Sequence, residues 1–202
     1  MMTYWQIVGV LTSLQVVLEK DIPGAIVELG CNVGTTSIYI RKLLDLYESD
    51  KEYHVYDSWE GLPELHSKDI ALTGGGFNKG ACKTSEQQFK YNLVSRGLKV
   101  PTIHSGWFSE IPDKEYPDQI CFAFFDGDFY TSIIDSFNKT FHKIQRGGII
   151  IVDDCGWSRL PGCETACLEF LEDKKEMLEY DGYPSPQGVF GEKHCGGKVV
   201  KL

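Results

Sequence analysis

The sequence predicts an α/β domain built around a parallel sheet. Short apolar runs of strand length alternate with stretches whose apolar residues recur at helical spacing, the pattern of strands joined by right-handed helical crossovers. Each run also ends in small or polar residues: Glu28 and Gly30, Asp57 and Ser58, Ser105 and Gly106, Asp126 and Asp128, Asp153 and Asp154. These would share one rim, the carboxyl ends of the strands, where such sheets bind ligands. The 202 residues, 42% hydrophobic and 24% charged, suit a single domain, 1–202, with a sizeable core.

The elements follow in order. Residues 1–20, "MMTYWQIVGVLTSLQVVLEK", read as an amphipathic helix with Trp5, Val8, Leu11, Leu14 and Leu18 on one face, packed on the domain or on a partner subunit as a homodimer. "AIVELG" reads as a buried strand, and the helix from about Thr35 shares Ile40, Leu43, Leu44 and Tyr47 on one face. "YHVYDSW", "PTIHSGW", "ICFAFFDGD" and "GGIIIVDDC" supply four more strands. "TSEQQFKYNLVSRGL" is a helix capped by Thr84 or Ser85. Ile133, Ile134, Phe137, Phe141 and Ile144 mark another, with "RGG" as its stop.

Charge and cysteine usage narrow the class. A net charge of −9 without a polybasic run argues against a nucleic-acid surface. The N-terminal segment carries Thr3, Gln6, Thr12, Ser13 and Gln15 and no basic leader, so neither membrane insertion nor a signal peptide is expected. Seven cysteines are an odd number for a disulfide framework, which favours a reduced, cytoplasmic setting.

"VELGCNVGTTS" places Gly30 and Gly34 in a turn opening a helix, where the backbone can approach a ligand closely. It lacks the G-x-G-x-x-G of a dinucleotide site, which counts against a nicotinamide-dependent Rossmann reductase. Glu28 suits a ligand bearing positive charge, such as the amine of a methionine moiety, and Asp57 suits ribose hydroxyls. Asp126, Asp128, Asp153 and Asp154 on one rim point to a divalent cation, because clustered carboxylates need a positive partner. The bland alternatives are solvated strand ends and a turn or helix cap.

Together, "VYDSWEGLPE", "HSGWFSEIP", "FFDGDFYTS", "GGIIIVDDCGW" and "PGCETACLEF" resemble successive motifs of the macrocin O-methyltransferase family, from about Glu28 to Phe170. The resemblance implies a Rossmann-like class I methyltransferase fold, a mostly parallel seven-stranded sheet flanked by helices with an antiparallel last strand. It implies S-adenosylmethionine (SAM) as cofactor, Mg2+ or Mn2+, and methyl transfer to a sugar hydroxyl of a glycan or glycosylated metabolite. By position, Asp126, Asp153 and Asp154 would hold the metal and Asp128 would be the general base. Glu28, Gly30, Cys31, Asn32, Gly34, Thr35, Thr36, Asp57, Ser58, Ser105, Gly106 and Asp126 would contact the cofactor. If the strand is still extended through Asp126 and Asp128, both side chains point to the same side. The N-terminal extension common in the family is short here.

Catechol-type methyltransferases resemble the same layout, but their lysine base would fall at Phe129. A sugar-binding module with a structural cation is the non-enzymatic alternative. "GGGFNKGACKTS" places Ala81 where a phosphate loop requires Lys, and reads as a flap over the cofactor. Cys155, Cys163, Cys167, His194 and Cys195 lack zinc-site spacing, so buried thiols are expected. Trp59, Trp107 and Trp157 are either pocket-lining or rim packing, and His104 either a core residue or a cofactor contact.

Overall fold

A computed structural model describes residues 2–70, 77–181 and 196–202. Seven strands, β1 (Ala25–Leu29), β2 (Tyr53–Asp57), β3 (Thr102–Ser105), β4 (Ile120–Phe125), β5 (Ile144–Val152), β6 (Glu179–Asp181) and β7 (Gly196–Val200), form one sheet in the order β3-β2-β1-β4-β5-β7-β6. β1 to β5 pair in parallel and β7 runs antiparallel between β5 and β6. The chain steps outward from β1 to β3, then returns to the other side of β1 for β4. That reversal opens a crevice at the carboxyl ends of β1 and β4.

The register makes the rim. Leu29 lies beside both Tyr56 and Phe125, and Phe125 beside Val152. Backbone bonds continue the ladder one step beyond the strands: Gly30 N–H donates to Tyr56 O (2.8 Å), Asp126 N–H to Leu29 O (2.9 Å) and Asp153 N–H to Phe125 O (2.8 Å). The first residues after three strands, β1, β4 and β5, are therefore drawn to one edge.

Among the described residues, five α-helices cover the sheet: α1 (Tyr4–Glu19), α2 (Thr35–Leu46), α3 (Glu86–Val94), α4 (Tyr130–Thr140) and α5 (Pro161–Leu171). One apolar cluster joins Phe122, Phe124, Ile149 and Ile151 to residues of α1, α2 and α3. The other joins Ala123, Phe125, Ile150 and Val152 to α4 and α5. This alternation along β4 and β5 is that of strands buried on both faces. Ser85 caps α3 by accepting from Gln88 N at 3.2 Å.

Three expectations are corrected. The buried face of α1 is Gly9, Val10, Ser13, Leu14 and Val17, rotated from the expected one, and Trp5 stays 38% exposed. The helix is apolar on most of its circumference, so its period alone does not choose the face. Tyr47 ends α2 as its C-cap and is exposed, outside the packed Ile40 and Leu44. α4 stops at Thr140, a 3-10 turn covers Phe141–Lys143, and Ile144 begins β5 with the RGG inside it. There Gly147, at φ 79, accompanies a register shift between Ile120 and Phe122. Glycines that read as a helix stop instead accommodate an irregularity in a strand.

No helix among the described residues is long and apolar enough to cross a membrane. Cys155, Cys163 and Cys167 are buried free thiols, whereas His194, Cys195 and the glycines 74–76 of the expected flap lie outside the described residues.

Candidate active site

The crevice holds a cavity of about 800 Å³. Its floor is the turn after β1. Gly30 has φ +92, and a Cβ there would lie 2.1 Å from Asp126 O, so only glycine lets the ends of β1 and β4 approach this closely. Cys31, Asn32, Thr35 and Thr36 line the wall beyond it, and Ser58 and Asp57 the side toward β2. Asp57 organises the turn: Oδ2 accepts from Cys31 N (3.1 Å) and Asn32 N (2.8 Å), and Oδ1 from Trp59 N (2.8 Å). Burial raises its pKa while those three amides lower it.

Not every expected cofactor residue reaches the cavity. Glu28 is 1% exposed and points beneath it, where Oε2 accepts from Ser37 Oγ at 2.6 Å and from the Tyr53 hydroxyl. Burial pushes its pKa to about 7. Gly34 is absent from the lining; its bare Cα, at φ +83, makes room for Phe89 and Leu93 of α3. Ser105 and Gly106 also lie off the cavity, because Ser105 Oγ turns outward, accepting from Trp59 Nε1 and donating to Glu86 Oε2, both at 2.8 Å. His104 packs between His54 and Glu115 and stacks on Tyr56, away from the cavity.

The acids gather at the opposite end. Asp126, Asp128 and Asp154 offer carboxylate oxygens that all lie within 4.8 Å of one another. β4 ends at Phe125, and Asp128 (φ 60) and Asp154 (φ 55) are left-handed, so they converge through two tight turns and not along an extended strand. Non-glycine residues take that conformation only when their surroundings impose it. Here Cys163 Sγ donates to Asp128 O at 3.0 Å, and Tyr130 N–H, one residue beyond Phe129, donates to the buried Asp69 at 2.7 Å.

Asp153, expected in the metal set, is not part of this trio; its Oδ1 accepts from Gln6 Nε2 at 2.7 Å. Burial, and next the charge of Asp153, raise Asp128 to about 6 and hold Asp126 and Asp154 well above the carboxylate range. No Lys, Arg or His is among the described residues lining the cavity. Converging carboxylates with no cationic side chain beside them suit an oxygen-coordinated divalent cation.

Trp107, Phe108, Phe77 and Trp157 add an aromatic wall, while Trp59 packs on Phe89 instead. Sequence reasoning missed Met2 and Gln6 of the N-terminal segment, and also Ser109, Glu110, Thr131, Ser132 and Asp135. Gln6 reaches Asp153 across 147 positions of sequence, a contact that no local pattern signals.

The family described as Macrocin-O-methyltransferase (TylF) matches residues 6–180. The chain is similar to the 8-demethyl-8-(2,3-dimethoxy-alpha-L-rhamnosyl)-tetracenomycin-C 4'-O-methyltransferase of Streptomyces olivaceus, with 28% identity over 148 residues, 70% of this chain and 56% of the relative. It thus spans little more than half of that relative's length. Among solved structures, the O-methyltransferase NovP superposes with a TM-score of 0.77 at 21% identity, covering 98% of this chain and 79% of the other. An O-methyltransferase from Bacillus cereus in complex with SAH superposes with a TM-score of 0.66 at 14% identity, covering 100% and 83%. These two likenesses concern the fold.

Proposed function

Because the chain belongs to the macrocin O-methyltransferase family, we propose that it transfers the methyl group of SAM to a sugar hydroxyl of a glycan or glycosylated metabolite, with a bound Mg2+ or Mn2+. The observation that carries this reading is the convergence of Asp126, Asp128 and Asp154 in a cavity lined also by Gly30 and Asp57. A volume of about 800 Å³ leaves room for a nucleoside cofactor and a sugar together.

In this reading Gly30, Cys31, Asn32, Thr35, Thr36 and Ser58 would hold the adenosyl end and Asp57 the ribose, its Oδ1 keeping a lone pair beyond the three amide bonds. Asp126 and Asp154 of the trio would hold the cation, with Asp153, the first residue after β5, as the third carboxylate, and the cation would supply Lewis acidity that lowers the pKa of an acceptor hydroxyl. Asp128 takes the hydroxyl proton. It lies in the same cluster, with carboxylate oxygens of Asp128, Asp126 and Asp154 all within 4.8 Å of one another. The acceptor oxygen's electron pair then forms the bond to the methyl carbon, and the C–S pair returns to sulfur, leaving S-adenosylhomocysteine. Trp107 and Trp157 offer faces for the CH surface of a sugar.

The catechol-type alternative has no base to use here. Phe129, at the position of its lysine, is 1% exposed and packed in the core.

The test pairs a thermal-shift assay with turnover. S-adenosylhomocysteine should raise Tm and NADH should not, since a ligand of the native state stabilises it by mass action. Methyl transfer from labelled SAM to a panel of sugars should stop in EDTA and return with Mg2+ or Mn2+. Stabilisation by NADH alone sinks the methyltransferase reading, and full activity after thorough chelation sinks the metal.

A further inference from the structure

Asp153 is tied to the opposite end of the chain. In the first turn of α1, Thr3 and Gln6 cap one another: Thr3 N–H donates to Gln6 Oε1 at 2.7 Å, and Gln6 N–H donates to Thr3 Oγ1 at 3.3 Å. With Oε1 engaged, the Gln6 amide is oriented so that its NH2 group faces away from the cap, and Nε2 donates to Asp153 Oδ1 at 2.7 Å. Asp153 is 6% exposed and Gln6 half-buried, so this bond is partly shielded from water. The same turn reaches the other wall of the cavity, where Thr36 Oγ1 donates to Met2 Sδ at 2.7 Å.

We propose that Gln6 is a positioning residue: its amide holds one oxygen of Asp153 and thereby fixes how that carboxylate faces the cluster of Asp126, Asp128 and Asp154. This rests on the reading that these strand-end acids hold a divalent cation. Partners that hydrogen-bond ligating carboxylates set ligand orientation, and losing one typically lowers metal affinity by about 10- to 100-fold. The N-terminal helix, expected to pack on the domain or on a partner subunit, thus becomes part of the site.

The test is calorimetric titration of Mn2+ into the full chain, with thermal unfolding in EDTA recorded alongside. Gln6→Met keeps length and helix propensity but removes the donor, and should weaken Mn2+ binding by about tenfold. Gln6→Leu, also a good helix former without a donor, serves where Gln6→Met does not fold, with the same loss expected. Thr3→Ala removes the Oγ1 cap but leaves the backbone N–H that orients Gln6. It should lower stability while Mn2+ affinity stays at the wild-type value. Wild-type affinity in a folded Gln6 variant overturns the proposal, as does an equal loss in Thr3→Ala, which would make the effect one of helix docking. A wild-type chain that binds no Mn2+ overturns the metal reading and this inference with it.

Discussion

Three converging carboxylates, and Asp153 outside that trio, have separable duties, and conservative substitutions separate them. Asp128→Asn keeps the shape but removes the basic lone pair, so kcat should fall by about 10²- to 10⁴-fold, the range for a general base, with SAM and Mn2+ affinity little changed. Asp153→Asn should instead weaken Mn2+ binding, and excess Mn2+ should partly restore turnover. Calorimetry beside turnover decides it: normal turnover in Asp128→Asn, or loss of the metal there, removes Asp128 as the base. Glu28 makes a second, independent prediction. Its folded pKa of about 7 lies above the ordinary 4.5, so between those values the fold keeps a proton that the unfolded chain has lost. Stability from this group is therefore undiminished below about pH 4.5, falls as pH rises, and is lowest above 7, a change of about 3 kcal/mol at most. Glu28→Gln should gain on the wild type by about 1–3 kcal/mol between pH 5 and pH 8 in denaturant titrations. An unchanged gap would mean that Glu28 ionises in the fold as freely as in the unfolded chain. The acids themselves were legible in the sequence as strand ends. That Glu28 points down into hydroxyls was not, because strand alternation alone does not tell which face the ligand occupies.

Among the elements, the five parallel strands and most helices were read, and β6 and β7 were not, because buried parallel strands and capped helices carry local signals: "AIVEL" is five buried residues in a row, and Ser85 caps α3 as its position suggested. What failed had no local signal. The facing side of α1 is decided by α2, β4 and β5, against which it packs, and not by its own period. Leu14, 0% exposed, should therefore cost about 2–5 kcal/mol on mutation to Ala. Leu11, only partly buried, should cost less than half as much. Equal losses in urea unfolding would restore the face expected from the sequence. The turns at Asp128 and Asp154 were equally invisible, since left-handed aspartates look like any others in sequence, and the contacts of Cys163 and Asp69 that brace the loop of Asp128 come from distant positions.

For the molecule as a whole, the sign of its charge bears on the acceptor. The chain carries −9, and Asp57, Glu110, Asp126, Asp128, Asp135, Asp153 and Asp154 all line the cavity, with no Lys, Arg or His among its described lining residues. One divalent cation and one sulfonium do not neutralise that set. A cleft of single sign focuses its field and concentrates ligands of the opposite sign while repelling like charge. An uncharged or amine-bearing glycoside should therefore enter more readily than a sugar carrying phosphates. The expected result, at low ionic strength, is a lower KM for a neutral methyl glycoside or an aminoglycoside than for a nucleotide-diphosphate sugar. The difference should shrink as salt rises and the Debye length falls from about 30 Å at 0.01 M to about 8 Å at 0.15 M. Because repulsion acts on entry, the gap should lie in kcat/KM and leave kcat comparable. A nucleotide-linked sugar that is the better acceptor at low salt, and loses its advantage as salt is added, would show that a cationic surface outside this lining set governs capture.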